Sequence, residues 1–412
     1  MQLFEQCTVG KIRMNNRIIR SATHDGLADP VKEGPSEELI RKYVYLAKND
    51  VGCIIQGYAI VSRDGKSNYP RCLGFFDPAS EEGYKRLTDA VHEAGAPIVA
   101  QLAHCGRQTS GKAIGTRKIA PSAKRHLLYP DKARAMTKED ISRVEKDFVD
   151  AIVRAKKCGF DGVQLHLAHG YLLHDFISAN GNKRKDEYGG NLENRMRIVK
   201  EIIDAAREKT GDFPIWVKLS ATDKRSKGMR VGYAVEVAKL LEQYGVDAIE
   251  VSCGSVQDGM NTMRSKRFPM DAIFAYREPV ASLPRALNRF VLALAKLVNP
   301  LIPQPKPLEL YNLPAARELK KNVGADLIVV GGITSLDEMN GIVGEGFQAV
   351  SMCRPFICEP NFAKKLKEGV STKSQCVMCN CCGLVIEKQP VRCLMGKVSY
   401  PVGKAEKMQK SE

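Results

Sequence analysis

The chain has 412 residues, of which 44% are apolar, and this is enough for one large α/β barrel or two ordinary domains. It has no long uncharged run and no apolar signal segment, and its 13 scattered cysteines are an odd number, so we expect a soluble, cytoplasmic protein with reduced thiols. The net charge of +16 is spread along the chain without a nucleic-acid-binding motif, which predicts a solvated basic surface that also favours phosphorylated ligands.

Short β-branched runs alternate with longer helical patterns, among them residues 137–158 and 190–209. The first of these helices opens with Thr137 three residues before Asp140, in the manner of a capping box. Eight segments read as strands: Arg17–Ser21, Gly52–Gln56, Ile98–Leu102, Gly162–His166, Ile215–Leu219, Ala248–Val251, Leu327–Val330 and Ala349–Met352. Continuous apolar strands separated by helices predict a (β/α)₈ TIM barrel over residues 1–370. A doubly wound sheet would show a glycine-rich turn after its first strand, and the sequence has none there.

The residues at or just after the C-terminal ends of the predicted strands are the candidates for a site, because barrel active sites lie there. They are polar, small or cationic: Thr23, Gly57, Gln101, His166, Lys218, Cys253, Gly331, Gly332 and Arg354. Glycines after the seventh strand let backbone N–H groups approach a phosphate, and Arg354 after the eighth strand would neutralise it. We therefore predict a seat for a phosphorylated cofactor.

The fourth predicted strand ends in a cluster of three titratable side chains, His166, His169 and Tyr171. Two imidazoles can polarise a carbonyl oxygen, and a phenol beside them can deliver a proton as a general acid. This is a site for reducing a polarised double bond, provided that another group supplies hydride.

Six segments resemble motifs of the Old Yellow Enzyme family, and they occur in the same order as in the family. They are NNRIIRSAT (15–23), QLAHCGRQT (101–109), HLAHGYLLHDF (166–176), NKRKDEYGGNLENR (182–195), GGIT (331–334) and MCRP (352–355). The resemblance covers residues 1–370 and implies an FMN-dependent oxidoreductase that uses NAD(P)H as its reductant.

The resemblance also implies roles for individual residues. His166 and His169 would hold the substrate oxygen, and Tyr171 would supply the proton. The implied flavin contacts are Ser21, Ala22, Thr23 and Gly57 at the ring, Gln101 at the pyrimidine edge, Lys218 beside N1 and O2, and Gly331, Gly332, Cys353 and Arg354 at the phosphate.

Three positions depart from the family pattern. Lys218 stands where the family usually has arginine, which keeps the charge but loses the planar fork. Ala22 and Thr23 replace a frequent Pro-Met pair. His24 occupies the place of a redox-tuning Thr or Cys, and the sequence leaves open whether it tunes the flavin or has only a surface or packing role.

Residues 371–412 form a cysteine-rich C-terminal extension. Cys376, Cys379, Cys382 and Cys393 have the spacing C-x₂-C-x₂-C-x₁₀-C, with Cys381 as a spare thiol. Four thiolates at short spacing suit a [4Fe–4S] cluster or a tetrahedral zinc ion. The segment resembles the cluster-binding stretch of the dienoyl-CoA reductase and trimethylamine dehydrogenase branch, which has three residues between the second and third cysteines where this chain has two. A cluster, zinc and a metal-free packing segment all stay open.

Residues 260–311 form a long insertion between the sixth and seventh strands. Leucines and one phenylalanine recur in it at helical spacing, and basic residues lie on its other faces: Leu283, Leu287, Phe290, Leu294 and Leu297, with Arg285, Arg289 and Lys296. A basic amphipathic helix can bind a membrane or a partner. Such stripes more often cover their own domain, so we predict a packing role or a lid over the flavin.

These patterns together predict an ene-reductase type of enzyme. Hydride would pass from NAD(P)H to FMN and then to the activated C=C of an α,β-unsaturated carbonyl or enoyl thioester, a small-molecule substrate. An electron-transfer partner in place of NAD(P)H is one alternative, and a homo-oligomer is left open. A non-catalytic metal-binding barrel is the alternative from another class.

Overall fold

The computed structural model describes residues 2–223, 228–255, 258 and 261–394. All eight predicted strands are present, with ends within one residue of the predicted ones. They are β1 (Ile18–Arg20), β2 (Cys53–Ile55), β3 (Ile98–Ala103), β4 (Gly162–Leu167), β5 (Ile215–Ser220), β6 (Ala248–Ser252), β7 (Asp326–Val330) and β8 (Ala349–Met352). Residue 260 of the predicted insertion and residues 395–412 of the predicted extension lie outside the described residues.

The eight strands form a closed parallel barrel, which confirms the predicted fold. Each strand pairs with the next along the chain, and β8 pairs with β1 through Val350 opposite Ile18. The register brings Gln164 opposite Gln101, His166 opposite Lys218, and Lys218 opposite Glu250. His166, Lys218 and Glu250, on three neighbouring strands, therefore stand at one level of the barrel, and Gln101 and Gln164 stand at another.

Helices surround the barrel on its outside. They are α1 (Glu37–Lys48), α2 (Glu81–Glu93), α3 (Lys138–Lys157), α4 (Leu192–Thr210), α5 (Val231–Gln243), α6 (Leu313–Lys320), α7 (Leu336–Gly344) and α8 (Phe362–Lys367). The helical patterns at 137–158 and 190–209 correspond to α3 and α4. The predicted capping box is present, because Thr137 accepts from the Asp140 amide while the Asp140 carboxylate accepts from the Thr137 amide.

The remaining elements are short, apart from the 14-residue helix Arg285–Val298. Additional helices span Gly111–Ile114, Leu172–Ile177, Met270–Tyr276, Arg285–Val298, Arg354–Cys358 and Cys382–Val385, and 3₁₀ turns span Arg63–Gly65, Pro78–Ser80, Val280–Ser282 and Asn299–Leu301. Additional strands span Cys7–Val9, Ile12–Met14, Ala59–Ile60, Leu73–Gly74, Ile119–Ala120, Arg125–His126, Tyr129–Lys132 and Arg134–Ala135. None of the helices in the described part of the chain combines the length and the apolarity needed to cross a bilayer.

The N-terminal hairpin closes one end of the barrel. Its strands, Cys7–Val9 and Ile12–Met14, pack apolar side chains against the buried Trp216. The indole of Trp216 donates a hydrogen bond to the carbonyl of Gly10 at 3.0 Å, so its polar edge is satisfied inside the core. With this end filled by apolar groups, only the opposite, C-terminal end is left for a polar site.

Replacing Thr137 by alanine should lower the free energy of unfolding by about 1 kcal/mol, because the α3 N-terminus loses the acceptor for one amide. The measurement is reversible urea denaturation followed by circular dichroism. Thr8→Ala is the control, since Thr8 is exposed and caps no helix. Equal losses in the two variants would contradict the role of the capping box.

Candidate active site

A cavity of about 280 Å³ opens at the C-terminal end of the barrel. This volume lies near the lower end of the range for small-molecule sites, roughly 300–1,000 Å³. Its lining includes most of the predicted site residues: Ser21, Ala22, Thr23, Gln101, His166, His169, Tyr171, Lys218, Gly331, Gly332, Cys353 and Arg354. Residues from at least six strand ends therefore meet in one space, as the barrel prediction required.

Gly57 is the one predicted cofactor residue that does not line this cavity. A Cβ atom at Gly57 would lie 2.1 Å from the carbonyl oxygen of Thr23. Its amide donates to the Tyr43 hydroxyl at 3.0 Å, on the buried side of the strand end. Glycine is needed here so that the backbone after β2 can approach the backbone after β1, and the contact of Gly57 with the cofactor stays a prediction.

A buried carboxylate, Glu250, lies behind the cavity wall and contacts three side chains that line it, Ser21, Lys218 and Ser351. It accepts hydrogen bonds from Lys218 at 2.9 Å and from the Ser21 hydroxyl at 2.7 Å. Gln164 donates to it at 2.9 Å, and the Ser351 hydroxyl donates as well. One carboxylate therefore joins side chains from β4, β5 and β8 and from the end of β1.

This carboxylate keeps its charge although it is fully buried. Burial alone would raise the pKa of Glu250, but the Lys218 ammonium and the hydrogen bonds of Ser351, Lys218 and Ser21 lower it below the ordinary value. Lys218 is in turn held between the carboxylate and the Ser21 hydroxyl, 2.9 Å from each. The ammonium is thus fixed in a position where it faces the cavity.

The predicted histidine and tyrosine cluster is assembled in the same cavity. The ring centres of His166 and His169 lie 5.1 Å apart, and those of His166 and Tyr171 lie 4.6 Å apart. His169 adopts a left-handed backbone conformation, with φ of 62°, and its Nε2 lies 2.8 Å from the Ser252 hydroxyl. The tight turn after β4 therefore brings three side chains close together.

The protonation states of this cluster suit hydrogen-bond donation. Burial lowers the pKa of both imidazoles well below the ordinary value, and the nearby Lys218 adds to the effect. Nδ1 of His166 accepts a hydrogen bond from the Ala168 amide at 3.3 Å, which assigns the proton of the neutral ring to Nε2. Burial raises the pKa of Tyr171 well above the ordinary value, so the phenol keeps its proton at neutral pH.

At the predicted phosphate-binding end of the cavity, the backbone conformation requires glycine. Gly331 and Gly332 both have positive φ angles, 116° and 74°. A Cβ atom on Gly332 would lie 2.4 Å from the carbonyl oxygen of Leu308, so the chain itself requires glycine at this position. The guanidinium of Arg354 donates from Nη1 to the Arg264 carbonyl and to Asn380 Oδ1, each at 2.7 Å. These bonds fix the cation beside the glycine turn.

Aromatic side chains form a further wall of the cavity, and of these the sequence analysis named only His24. His24 stacks on Tyr58 with ring centres 5.1 Å apart, and burial lowers the pKa of His24 to about 4. Both rings line the cavity, as does Tyr69, so His24 has no role on the surface. Glu250 was also missed, although a lone carboxylate within an apolar barrel strand, AIEVS, is a signal that could have revealed it.

Segments outside the barrel cover the cavity. The C-terminal extension contributes Met378, Cys382, Gly383, Ile386 and Val391 to its lining. The insertion borders it through its two ends, at Thr262, Met263 and Tyr311. The Arg285–Val298 helix contributes no lining residue and has no buried side chain, and the role of the insertion as a lid stays a prediction.

Four cysteines of the extension surround a second, very small cavity. Cys376, Cys379, Cys382 and Cys393 line a space of about 20 Å³, together with Cys358. Among the residues that the structure describes, however, no three His, Cys, Asp or Glu side chains have a geometry that would hold a metal ion. The thiols are close neighbours but are not arranged as a ligand set.

A parallel barrel whose strand ends carry two cations, a glycine turn and a His-His-Tyr cluster defines the class of flavin-dependent oxidoreductases. Comparison with known proteins agrees with this. The sequence profile of the NADH:flavin oxidoreductase / NADH oxidase family matches residues 2–278, and the chain belongs to this family. The cavity residues fit FMN, with Arg354 and the glycine turn for its phosphate and Lys218 for the electron-rich edge of its ring.

Individual relatives are similar over different shares of their length. The chain is 31% identical to an NADH oxidase of Thermoanaerobacter brockii over 405 residues, 96% of this chain but 56% of the relative. It is 38% identical to an NADPH dehydrogenase of Geobacillus sp. (strain WCH70) over 258 residues, 62% of this chain and 73% of the relative. The chain thus spans little more than half the length of the first of these proteins.

Solved structures share the fold. A 2-naphthoyl-CoA reductase in complex with 2-naphthoyl-CoA superposes with a TM-score of 0.79 at 23% identity, covering 96% of this chain and 57% of that one. An Old Yellow Enzyme homologue from Zymomonas mobilis superposes with a TM-score of 0.70 at 25% identity, covering 98% and 100%. The fold and the family resemblance are therefore confirmed.

Replacing Glu250 by glutamine should lower the free energy of unfolding at pH 7 by roughly 3 kcal/mol, because the Lys218 charge loses its buried partner. The carboxylate has a lowered pKa in the folded state, so its stabilisation is present above the ordinary carboxyl pKa of about 4.3 and is lost as the pH falls below that value. The difference between wild type and Glu250→Gln should therefore stay nearly constant from pH 7 down to about pH 5 and shrink only when urea denaturation is carried out below the ordinary carboxyl pKa of about 4.3.

The control for this pair is the double variant Lys218→Met/Glu250→Gln, in which no charge is left unpaired. It should be more stable than the sum of the two single losses predicts. Strictly additive losses would contradict a coupled ion pair.

Proposed function

We propose that the protein reduces the activated C=C bond of an α,β-unsaturated carbonyl compound or enoyl thioester, with FMN as cofactor and NAD(P)H as reductant. The observation that carries the proposal is the placement of His166, His169 and Tyr171 in the same cavity as Lys218 and Arg354. Bound there, FMN would supply the chemistry of accepting hydride from NAD(P)H and giving it to a carbon of the substrate.

The chain's own residues supply orientation and proton transfer. The Nε2–H group of His166 and the neighbouring imidazole of His169 would donate hydrogen bonds to the substrate carbonyl oxygen and draw electrons from the adjacent C=C bond. Neutral imidazoles suit this role, because the carbonyl oxygen of the bound substrate is uncharged and becomes negative only as the reaction proceeds. Tyr171, whose ring lies 4.6 Å from that of His166, would protonate the α-carbon.

Lys218 and Arg354 would hold the cofactor at opposite ends. The Lys218 ammonium, fixed by Glu250 and Ser21, would stabilise negative charge at the ring edge of the cofactor. Arg354 and the Gly331–Gly332 turn would bind the phosphate. We place the reductant and the substrate in the same cavity in turn, since the groups proposed to bind the cofactor and the groups proposed to bind the substrate all line this one space.

We further propose that Cys376, Cys379, Cys382 and Cys393 bind a [4Fe–4S] cluster in a compartment that keeps thiols reduced, such as the cytoplasm. The support is that the four side chains border one small space, and that every cysteine is free of disulfide bonds. Ligand geometry would require the thiols to move closer together on binding. An electron-transfer partner in place of NAD(P)H is the alternative that such a cluster favours.

Tyr171→Phe should leave reduction of the cofactor by NAD(P)H nearly unchanged while slowing reduction of an enone by ~10²–10⁴-fold, because only the second reaction needs the phenol proton. Anaerobic stopped-flow spectroscopy measures the two half-reactions separately. Tyr244→Phe, at the end of an outer helix, is the matched control and should affect neither. An equal loss of rate in both half-reactions would contradict the role of Tyr171 as proton donor.

The absorption spectrum of the anaerobically purified protein tests the cofactors themselves. FMN should give flavin bands that bleach with NAD(P)H, and a cluster should add broad absorption with stoichiometric iron and sulfide. Cys376→Ser should then lower the iron content, whereas Cys7→Ser, outside the extension, should leave it unchanged. Equal iron in both variants and wild type would reject the cluster, and a protein that cannot take up FMN would reject the oxidoreductase mechanism.

A further inference from the structure

The turn between β4 and the Leu172–Ile177 helix has a constrained backbone. His169 and Gly170 are successive residues in left-handed conformations, with φ of 62° and 83°. A residue with a side chain rarely keeps this conformation unless its surroundings hold it there. Only Gly170 separates His169 from Tyr171, so the peptide group between His169 and Gly170 helps to fix the positions of both side chains.

Side chains accept the hydrogen bonds of this turn. The amides of residues 168, 169 and 170 donate to His166 Nδ1, Ser220 Oγ and His174 Nδ1, at 3.3, 3.1 and 2.7 Å. The bond from Gly170 to His174 is the shortest of the three, and both of its residues are buried. A buried amide that lost this acceptor would have no water to replace it, so the conformation of the turn depends on this bond.

The His174 ring is in the state that can accept this bond. Burial lowers the pKa of His174, so the ring is neutral at pH 7 and one of its nitrogens carries no proton. Since Nδ1 accepts from the Gly170 amide, the proton is assigned to Nε2. Nε2 is buried and has no hydrogen-bond partner in the described part of the chain. The hydrogen bonding of the imidazole therefore passes through Nδ1 alone.

We propose that His174 is a positioning residue for reduction of the C=C bond, because it holds the turn in which His169 and Tyr171 meet the substrate together. The inference rests on the proposed function of these two side chains. His174 lines no part of the cavity, so it acts through the Gly170 amide and not by contact with substrate or cofactor. Without the bond, the peptide group between His169 and Gly170 is free to rotate, and the His169 imidazole leaves its place 2.8 Å from the Ser252 hydroxyl.

Two amide variants of His174 test this role as a matched pair. In His174→Asn the side-chain oxygen is attached to Cγ, as Nδ1 is in histidine, so the acceptor is retained in its place. In His174→Gln the oxygen lies one carbon further from the backbone, and His174→Leu has no acceptor. Asparagine should therefore preserve the turn, whereas glutamine and leucine should not.

Hydrogen–deuterium exchange of the full-length protein measures the bond without any turnover. Mass spectrometry of the peptide that contains the Gly170 amide gives its exchange rate. This amide should exchange equally slowly in wild type and His174→Asn, and at least about tenfold faster in His174→Gln and His174→Leu. Equal protection in all four proteins would overturn the proposal, because another group would then hold the amide.

Anaerobic stopped-flow spectroscopy of the FMN-loaded enzyme measures the consequence for enone reduction. The rate constant should stay within about threefold of wild type in His174→Asn and fall by about 10- to 100-fold in His174→Gln and His174→Leu, because a small displacement of a reacting group costs that much. The dissociation constant of FMN, from fluorescence titration, should be the same in all four proteins, since the turn does not hold the cofactor.

Three kinetic outcomes would overturn the positioning role. They are a rate in His174→Asn as low as in His174→Gln, equal rates in all four proteins, and an FMN affinity that falls in parallel with the rate, which would show a general loss of fold. Each of these leaves the proposed function intact. A wild type that binds FMN but reduces no enone would instead overturn the proposed function, and the role of His174 with it.

Discussion

The ion pair between Glu250 and Lys218 is the interaction on which the site depends. A charge inside a barrel is costly unless it is paired and hydrogen-bonded, and this carboxylate is both. Its partners come from strands distant in sequence, so the network forms only when the barrel closes. If the Lys218 side chain moved away, the Glu250 carboxylate would remain as a buried, unpaired charge. The cavity therefore keeps a cation at a defined place before any ligand binds.

The barrel was predictable from sequence because its signals are local and repeated. Each strand is a short apolar run between helical patterns, and strand ends shifted by no more than one residue. Most of the candidate site followed, since strand ends of a barrel converge whatever lies between them. The His166–His169–Tyr171 cluster is compact in sequence, which is why its assembly could be anticipated.

What could not be predicted depends on packing between distant segments. Gly57 was assigned to the cofactor on resemblance, and no local pattern reveals that the Thr23 carbonyl also requires glycine at this position. The Arg285–Val298 helix of the insertion was expected to pack on its own domain or to cover the cavity, and in the structure it lines no part of the cavity. Its orientation is decided instead by polar contacts of Asn288 and Lys296 with residues earlier in the insertion.

The side chain of Asn380 links the C-terminal extension to the barrel by hydrogen bonds. Its side chain accepts from Arg354 and donates to the carbonyl of Met263 in the insertion, at 2.7 and 2.6 Å. It lies between Cys379 and Cys381, with a left-handed backbone whose φ is 62°. Any event that rearranges these thiols must therefore shift the group that orients Arg354. Arg354 and Cys382 line both cavities, so by thermodynamic reciprocity a ligand that moved Asn380 through Arg354 would also favour one arrangement of the thiols.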